Sequence, residues 1–427
     1  MRDLLLAGVL PFLIYFALRR PYLGLSLWLW SSLVPLQAWT FGFATSIRWN
    51  FIFAVCTIIA YFINDKPKQF KLDSISGSFL LFFICLTIAS ITHDGYGPHV
   101  WDRYDRFIKA SLFFLFTLLI VNDKKHVMAL CWAMVLSVVA ISLPQGIYVI
   151  LSGGGHVVTG IGSSFNDRNL AALAVLMCLP ILYFLHLQYR AYKLINIGLI
   201  GAVVFCAAYI LGSGSRGALL GVCVFFGFFL MRSKQKMPII AIGVTVGILS
   251  LLFFETVWSD RADTFSNLSE DESFMGRVIA WKLHLLMALE DPFFGGGFDA
   301  ASYGPTFQYL LLNWDAVNFI ASPYPSKVYV AHSIYFQVLG DTGFLGFFTY
   351  FLMIGLAYKT LQKCSKIKND EWLKEAGTYY GLSVICFLCS GAALSAAYNE
   401  LITAIIAIAS CLQHLSKVSK NSAEWRS

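Results

Sequence analysis

Long apolar runs recur along the chain, at 4–18, 22–38, 50–63, 77–92, 107–121, 127–151, 169–187, 194–212, 217–231, 237–255, 333–357, 377–394 and 400–414. A helix of about 20 apolar residues crosses a bilayer core of roughly 30 Å, and in lipid only a helix or a closed barrel satisfies its own backbone. The pattern therefore predicts an all-α, polytopic integral membrane protein with about 12, possibly 13, transmembrane helices. The first two runs are short and each holds a proline, Pro11 and Pro35, so they read either as two crossings or as a broken pair.

The connectors between runs alternate in character. Lys66/Lys68/Lys71, Lys124/Lys125, Arg190/Lys193, Arg232/Lys234/Lys236, Lys359/Lys363/Lys366/Lys368/Lys374 and Lys417/Lys420 occupy every second one. That bias places them in the cytoplasm. The connectors near 93–106, 152–168, 212–216, 256–331 and 395–399 then face outward. The division of the chain follows: an N-terminal transmembrane bundle over 1–255, a large outward loop over 256–331, C-terminal transmembrane helices over 332–414 and a cytoplasmic tail over 415–427. A loop as long as Thr256 to Ala331 is functional or disordered as a rule. Its aromatic residues, among them Phe265, Phe274, Trp281, Phe293, Phe294, Phe298, Trp314 and Tyr324, favour packing over disorder. Phe274 to Leu289 reads as an amphipathic helix at the membrane interface, carrying Arg277, Trp281 and His284 at helical spacing.

Composition narrows the class. Of 427 residues 58% are hydrophobic and 13% charged, with mean hydropathy +0.69, against about 25% charged in a soluble domain. A soluble enzyme is excluded. The net charge of +7 does not point to nucleic acid, because its lysines sit in short clusters that set orientation. Met1-Arg2-Asp3 and the following apolar stretch resemble a signal peptide, but Arg19-Arg20-Pro21 stands where a cleavage site would, so the segment is expected to be retained. Nine of the ten cysteines lie in apolar runs, with no disulfide or zinc spacing. There is no P-loop, no nucleophile elbow and no outward Asp-x-Asp pair, so neither a nucleotide-driven pump nor a metal-dependent transferase is supported, and no cofactor is expected.

The outward basic residues are mostly arginine: Arg103, Arg106, Arg168, Arg216, Arg261 and Arg277 against Lys109, Lys282 and Lys327. A guanidinium binds phosphate oxygens bidentately; the plainer role is headgroup anchoring. Arg216 is the sharpest candidate. It is the one charged residue between Leu194 and Met231, within Gly212-Ser213-Gly214-Ser215-Arg216-Gly217, and an intramembrane arginine points to function unless it merely snorkels from a turn. The next helix would offer free N–H groups to an anion. Arg277 lies one turn before Trp281, where it reaches a lipid phosphate or simply anchors the helix. Arg168, in Phe165-Asn166-Asp167-Arg168-Asn169, adds charge near a helix start that Asn166 or Asp167 can cap. Arg261 is a further diphosphate candidate, although it precedes the acidic run Glu270-Asp271-Glu272 and can pair with it. His332, where the long loop meets an apolar helix, is disfavoured as a cation by the helix dipole and so is available as a general base; an interfacial histidine bonded to its own backbone is the alternative.

Taken together these motifs resemble the O-antigen ligase superfamily of lipid-linked polysaccharide ligases, O-antigen polymerases and oligosaccharyl ligases that glycosylate proteins. The resemblance rests on Ser215-Arg216-Gly217, on Ser273 through Trp281 with Asp291-Pro292-Phe293-Phe294-Gly295-Gly296-Gly297-Phe298, and on Ala331-His332-Ser333 with Gly340-Asp341-Thr342-Gly343-Phe344-Leu345-Gly346. Met1-Arg2-Asp3-Leu4, Arg19-Arg20-Pro21-Tyr22 and Phe165 to Asn169 look most like the O-glycosylation ligases associated with exosortase systems. Where the superfamily commonly has His-Asn, this chain has His332-Ser333. The resemblance implies a bacterial inner-membrane protein with about twelve spans and a periplasmic loop over a lateral cavity. It also implies metal-independent glycan transfer from undecaprenyl diphosphate to an acceptor lipid, protein or polysaccharide, with Arg216 and Arg277 on the diphosphate and His332 activating the acceptor hydroxyl. A polymerase of the same superfamily and a flippase or transporter of lipid-linked sugars are the competing readings. The outward loop holds nine acidic residues against four basic ones, so recognition of an anion is expected to be local, through individual arginines.

Overall fold

The computed structural model describes residues 2–34, 36–64, 72–93, 100–156, 158–160, 165, 167–232, 236–253, 272–319 and 322–424. Among them the chain is helical, without a strand. Each apolar run is a helix: α1 (Arg2–Arg19), α2 (Pro21–Leu33), α3 (Trp49–Ile63), α4 (Ser74–Thr92), α5 (Val100–Ile120), α6 (Lys124–Leu151), α7 (Arg168–Tyr189), α8 (Lys193–Gly212), α9 (Arg216–Arg232) and α10 (Lys236–Phe253). The long loop contributes α11 (Glu272–Glu290) and the short α12 (Gly304–Leu311), and the chain ends with α13 (Ile334–Cys364), α14 (Glu371–Gly391) and α15 (Glu400–Glu424). Among the described residues six helices are long and apolar enough to cross a membrane: α4, α6, α7, α8, α13 and the segment Glu400–Ser419 of α15. The protein is a multi-pass membrane protein on that ground.

Side-chain oxygens start several helices. Asp73 and Ser76 form a reciprocal capping box at α4, while Asp123 and Asp370 accept N–H bonds at the starts of α6 and α14. Pro21 opens α2, where its missing N–H costs nothing. The first two runs form two helices parted at Arg20, and neither is among the helices long and apolar enough to cross a membrane. Asp3, at the start of α1, accepts the N–H of Phe41 beyond the end of α2, so the pair folds back as a hairpin.

Helix α7 lies at the centre, buried over most of its length and packed by α8, α9 and α14. A helix apolar on all sides is stable only when surrounded in this way or by lipid. The two ends of the bundle differ in chemistry. At one end Lys124 pairs with Asp370 at 2.7 Å across the α5–α6 and α13–α14 junctions. At the other end Arg103 meets Asp299 at 3.1 Å and His93 meets Asp291 at 3.4 Å.

The described part of the long loop is packed. Ile279, Leu283, Leu286, Met287, Phe307, Leu310, Trp314 and Val317 form a hydrophobic cluster of their own. Lys282 is buried beneath it, donating to the Ser322 hydroxyl at 2.7 Å with its ammonium 4.8 Å from the Trp314 ring centre. Helix α11 does not lie free at a surface: Trp281 stacks on Phe336 of α13, and the fully buried His284 sits against Gly340.

A glycine clamp fixes the loop to α13. Gly296 and Gly297 donate to the carbonyls of Gly340 and Asp341, and Phe344 donates to that of Pro292. These bonds need two chains to approach within backbone distance. A Cβ on Gly295 would stand 2.5 Å from the Gly340 carbonyl oxygen, and Gly343 breaks the helical path with a left-handed φ of +62°.

Candidate active site

Five separate stretches converge at the end of the bundle opposite the Lys124–Asp370 pair, around a cavity of about 570 Å³. The starts of α7 and α9, the first turns of α11, the segment 327–332 and the end of α14 line it. Its charged lining residues are Asp167, Arg216, Arg277 and Lys327, joined by His332 and Tyr329.

Arg216 is the first residue of α9 and is half-buried. The turn before it is tight because Gly214 takes a φ of +60°, and it is held by hydroxyls: Ser213 accepts the N–H of Ser215, and Ser215 accepts that of Ala218. Gly217 brings α9 against α14, where a Cβ would approach the Ser390 carbonyl oxygen to 3.1 Å. Together these features place Arg216 and the start of α9 on the cavity wall.

Arg277 enters from α11, where neighbouring Gly276 lets the helix close on the Tyr329 ring. Lys327 stands on the same wall, its ammonium 5.7 Å from the ring centre of Tyr329. His332 sits just before α13 with φ at +47°, a left-handed conformation that is strained for a residue with a Cβ. Its backbone N–H donates to the Ser395 hydroxyl at 2.8 Å. The next residue, Ser333, caps α13 by accepting the N–H of Tyr335, so this serine starts the helix. Burial pushes the His332 imidazole below the ordinary value of about 6.5, the Arg277 charge pushes it further down, and the Asp167 carboxylate opposes both. The neutral form, able to accept a proton, is thereby favoured.

Of the residues singled out from sequence, Arg216, Arg277 and His332 share this cavity. Arg168 begins α7 but is not among the lining residues, although its neighbours Asp167 and Asn169 are. Arg261, with Asn166, Glu270 and Asp271, lies outside the described residues. Asp167 occupies the N-cap position of α7 without capping it, and its carboxylate accepts from the Asn169 side chain at 3.2 Å. Asp167 and Lys327 were legible only as a cap and a loop lysine; no local spacing ties either to the cavity.

Residues 201–351 match a family described as O-Antigen ligase, and residues 1–190 match a family of unknown function, DUF5935. Arg216, Arg277 and His332 all fall in the first matched segment, and Asp167 falls in the second. The match supports the O-antigen ligase superfamily of membrane glycan ligases and polymerases. No curated protein matches the chain.

Proposed function

We propose that the protein is a glycan ligase of the bacterial inner membrane, transferring an oligo- or polysaccharide from undecaprenyl diphosphate to an acceptor hydroxyl on the periplasmic side. The observation that carries this reading is the meeting of Arg216, Arg277 and His332 in one cavity. Two guanidiniums and the start of a helix suit a diphosphate, and a neutral histidine beside them suits an incoming hydroxyl.

In this reading Arg216 and Arg277 hold the diphosphate and Lys327 adds charge on the same wall. The His332 imidazole takes the acceptor's proton as its oxygen attacks the anomeric carbon. The bond from that carbon to the phosphate oxygen breaks, its electron pair leaves with undecaprenyl diphosphate, and the anomeric configuration inverts. The arginines stabilise the negative charge gathering on the leaving group, which is the interaction that strengthens toward the transition state. The reaction as written needs no cofactor. The acceptor is a lipid, a protein hydroxyl or a polysaccharide, and the exosortase-type motifs of the first 190 residues favour a protein or exopolysaccharide setting.

The reading is tested by the binding of undecaprenyl diphosphate to full-length protein in lipid nanodiscs. Arg216→Ala and Arg277→Ala should each weaken it by about tenfold or more, the size of a lost charged hydrogen bond. Unchanged affinity in both variants would remove the diphosphate from this cavity. Product length then separates ligase from polymerase, because a polymerase yields a ladder from single repeats.

A further inference from the structure

A second cavity, of about 290 Å³, adjoins the first. Asp167 lines both, and Ser395, which holds the His332 N–H, lines the second. Beyond it a third cavity of about 310 Å³ shares Arg106 and Glu400 with the second and adds Gln37, Asn50 and Lys109. The three lie in sequence, each sharing lining residues with the next, from His332 past the start of α15 to α5.

The chemistry changes along this path. The first cavity sets three cations, Arg216, Arg277 and Lys327, against one carboxylate, Asp167. The second sets two, Arg103 and Arg106, against three: Asp167, Asp299 and Glu400. Arg103 is moreover already engaged by Asp299 at 3.1 Å. A second diphosphate is therefore disfavoured there by charge, and a polyprenyl tail by the cost of stripping water from these groups. What remains is a neutral ligand rich in groups that both donate and accept. A sugar hydroxyl does both, and the wall offers carboxylate acceptors, guanidinium donors and the amide of Gln337. It also includes the half-buried Tyr398, whose ring packs edge to face on the buried Phe298 at 4.9 Å.

We propose that this second cavity, continued by the third, is a carbohydrate subsite that holds sugar residues next to the reacting centre, with Arg106 and Glu400 as its hydrogen-bonding pair. The assignment rests on the ligase reading for what lies in the first cavity. The sugars belong either to the donor's glycan or to a glycan acceptor, and one experiment separates these.

Full-length protein in nanodiscs is titrated with three probes: bare undecaprenyl diphosphate, undecaprenyl diphosphate bearing a hexose tetrasaccharide, and the free tetrasaccharide. Wild type is compared with Arg106→Ala and Glu400→Gln, the second keeping the side chain's shape should the first fail to fold. The expected result is a loss of about tenfold in affinity for a tetrasaccharide-bearing probe with the bare lipid unchanged. Loss with the lipid-linked sugar alone assigns the subsite to the donor; loss with the free sugar assigns it to the acceptor. Equal affinity of variants and wild type for every probe overturns the proposal. So does a matching loss on bare lipid, or a wild type that gains nothing from the tetrasaccharide on either probe. Failure of wild type to bind bare lipid diphosphate strikes the ligase reading instead, and the free-sugar arm still decides the subsite.

Discussion

His332 and Ser395 are joined by a 2.8 Å hydrogen bond from the histidine's backbone N–H to the serine hydroxyl. The histidine holds a left-handed φ of +47°, and the serine lies between α14 and α15, so one bond ties the candidate base to the end of the bundle. A residue with a Cβ kept in that conformation costs about 1–3 kcal/mol, and the surroundings must hold it there. Ser395→Ala should therefore lower turnover several-fold while leaving donor affinity near wild type. Ser395→Thr, which keeps the hydroxyl, should restore part of the rate. Steady-state kinetics of the two variants separates loss of positioning from loss of binding.

The acid limb of the pH profile should have its midpoint below about 6.5, because the His332 pKa is lowered and activity requires the neutral ring. Removing the Arg277 charge takes away one lowering influence, so Arg277→Ala should move the midpoint up. Asp167→Asn removes the opposing influence and should move it down. Midpoints of kcat/KM against pH report this even where the maximal rate falls.

Gly343→Ala should destabilise the protein strongly. Its φ of +62° disfavours any Cβ, and one placed there would stand 2.7 Å from the Pro292 carbonyl oxygen. The expected cost is at least about 1–3 kcal/mol, with the loop no longer clamped to α13. Thermal unfolding in detergent, together with protease sensitivity of the loop, checks it.

Tyr398→Phe should cost about 1–3 kcal/mol by leaving the buried Asp341 carboxyl group short of a hydrogen-bond partner. Asp341 accepts from the Tyr398 hydroxyl at 3.0 Å and from the N–H of Asp299 at 3.0 Å, and is itself fully enclosed. The loss should appear in thermal stability with little change in KM for the diphosphate.

The helices were legible because hydrophobic length and the lysine connectors are written residue by residue: every apolar run is a helix, and Lys124 pairs with Asp370 at one end of the bundle. The depth of the loop's packing was not. Trp281 reads as a headgroup anchor, yet it stacks on Phe336, and Lys282 reads as an outward lysine, yet it is buried over Trp314. Both depend on contacts with residues 32 or more positions away, which no local spacing records. Arg216, Arg277 and His332 stood out individually because each is a lone polar group beside apolar sequence. Asp167 did not, because an acidic residue before a helix has an ordinary explanation as a cap, and only the fold shows that it faces the cavity instead.

The most direct test of the account compares wild type with His332→Ala for transfer from a defined undecaprenyl-diphosphate-linked glycan, with donor binding measured in the same preparations. Lipid, protein and polysaccharide acceptors are offered separately. The account predicts transfer by wild type to one of them, none by His332→Ala, and donor affinity alike in the two. Transfer by His332→Ala at the wild-type rate would contradict it.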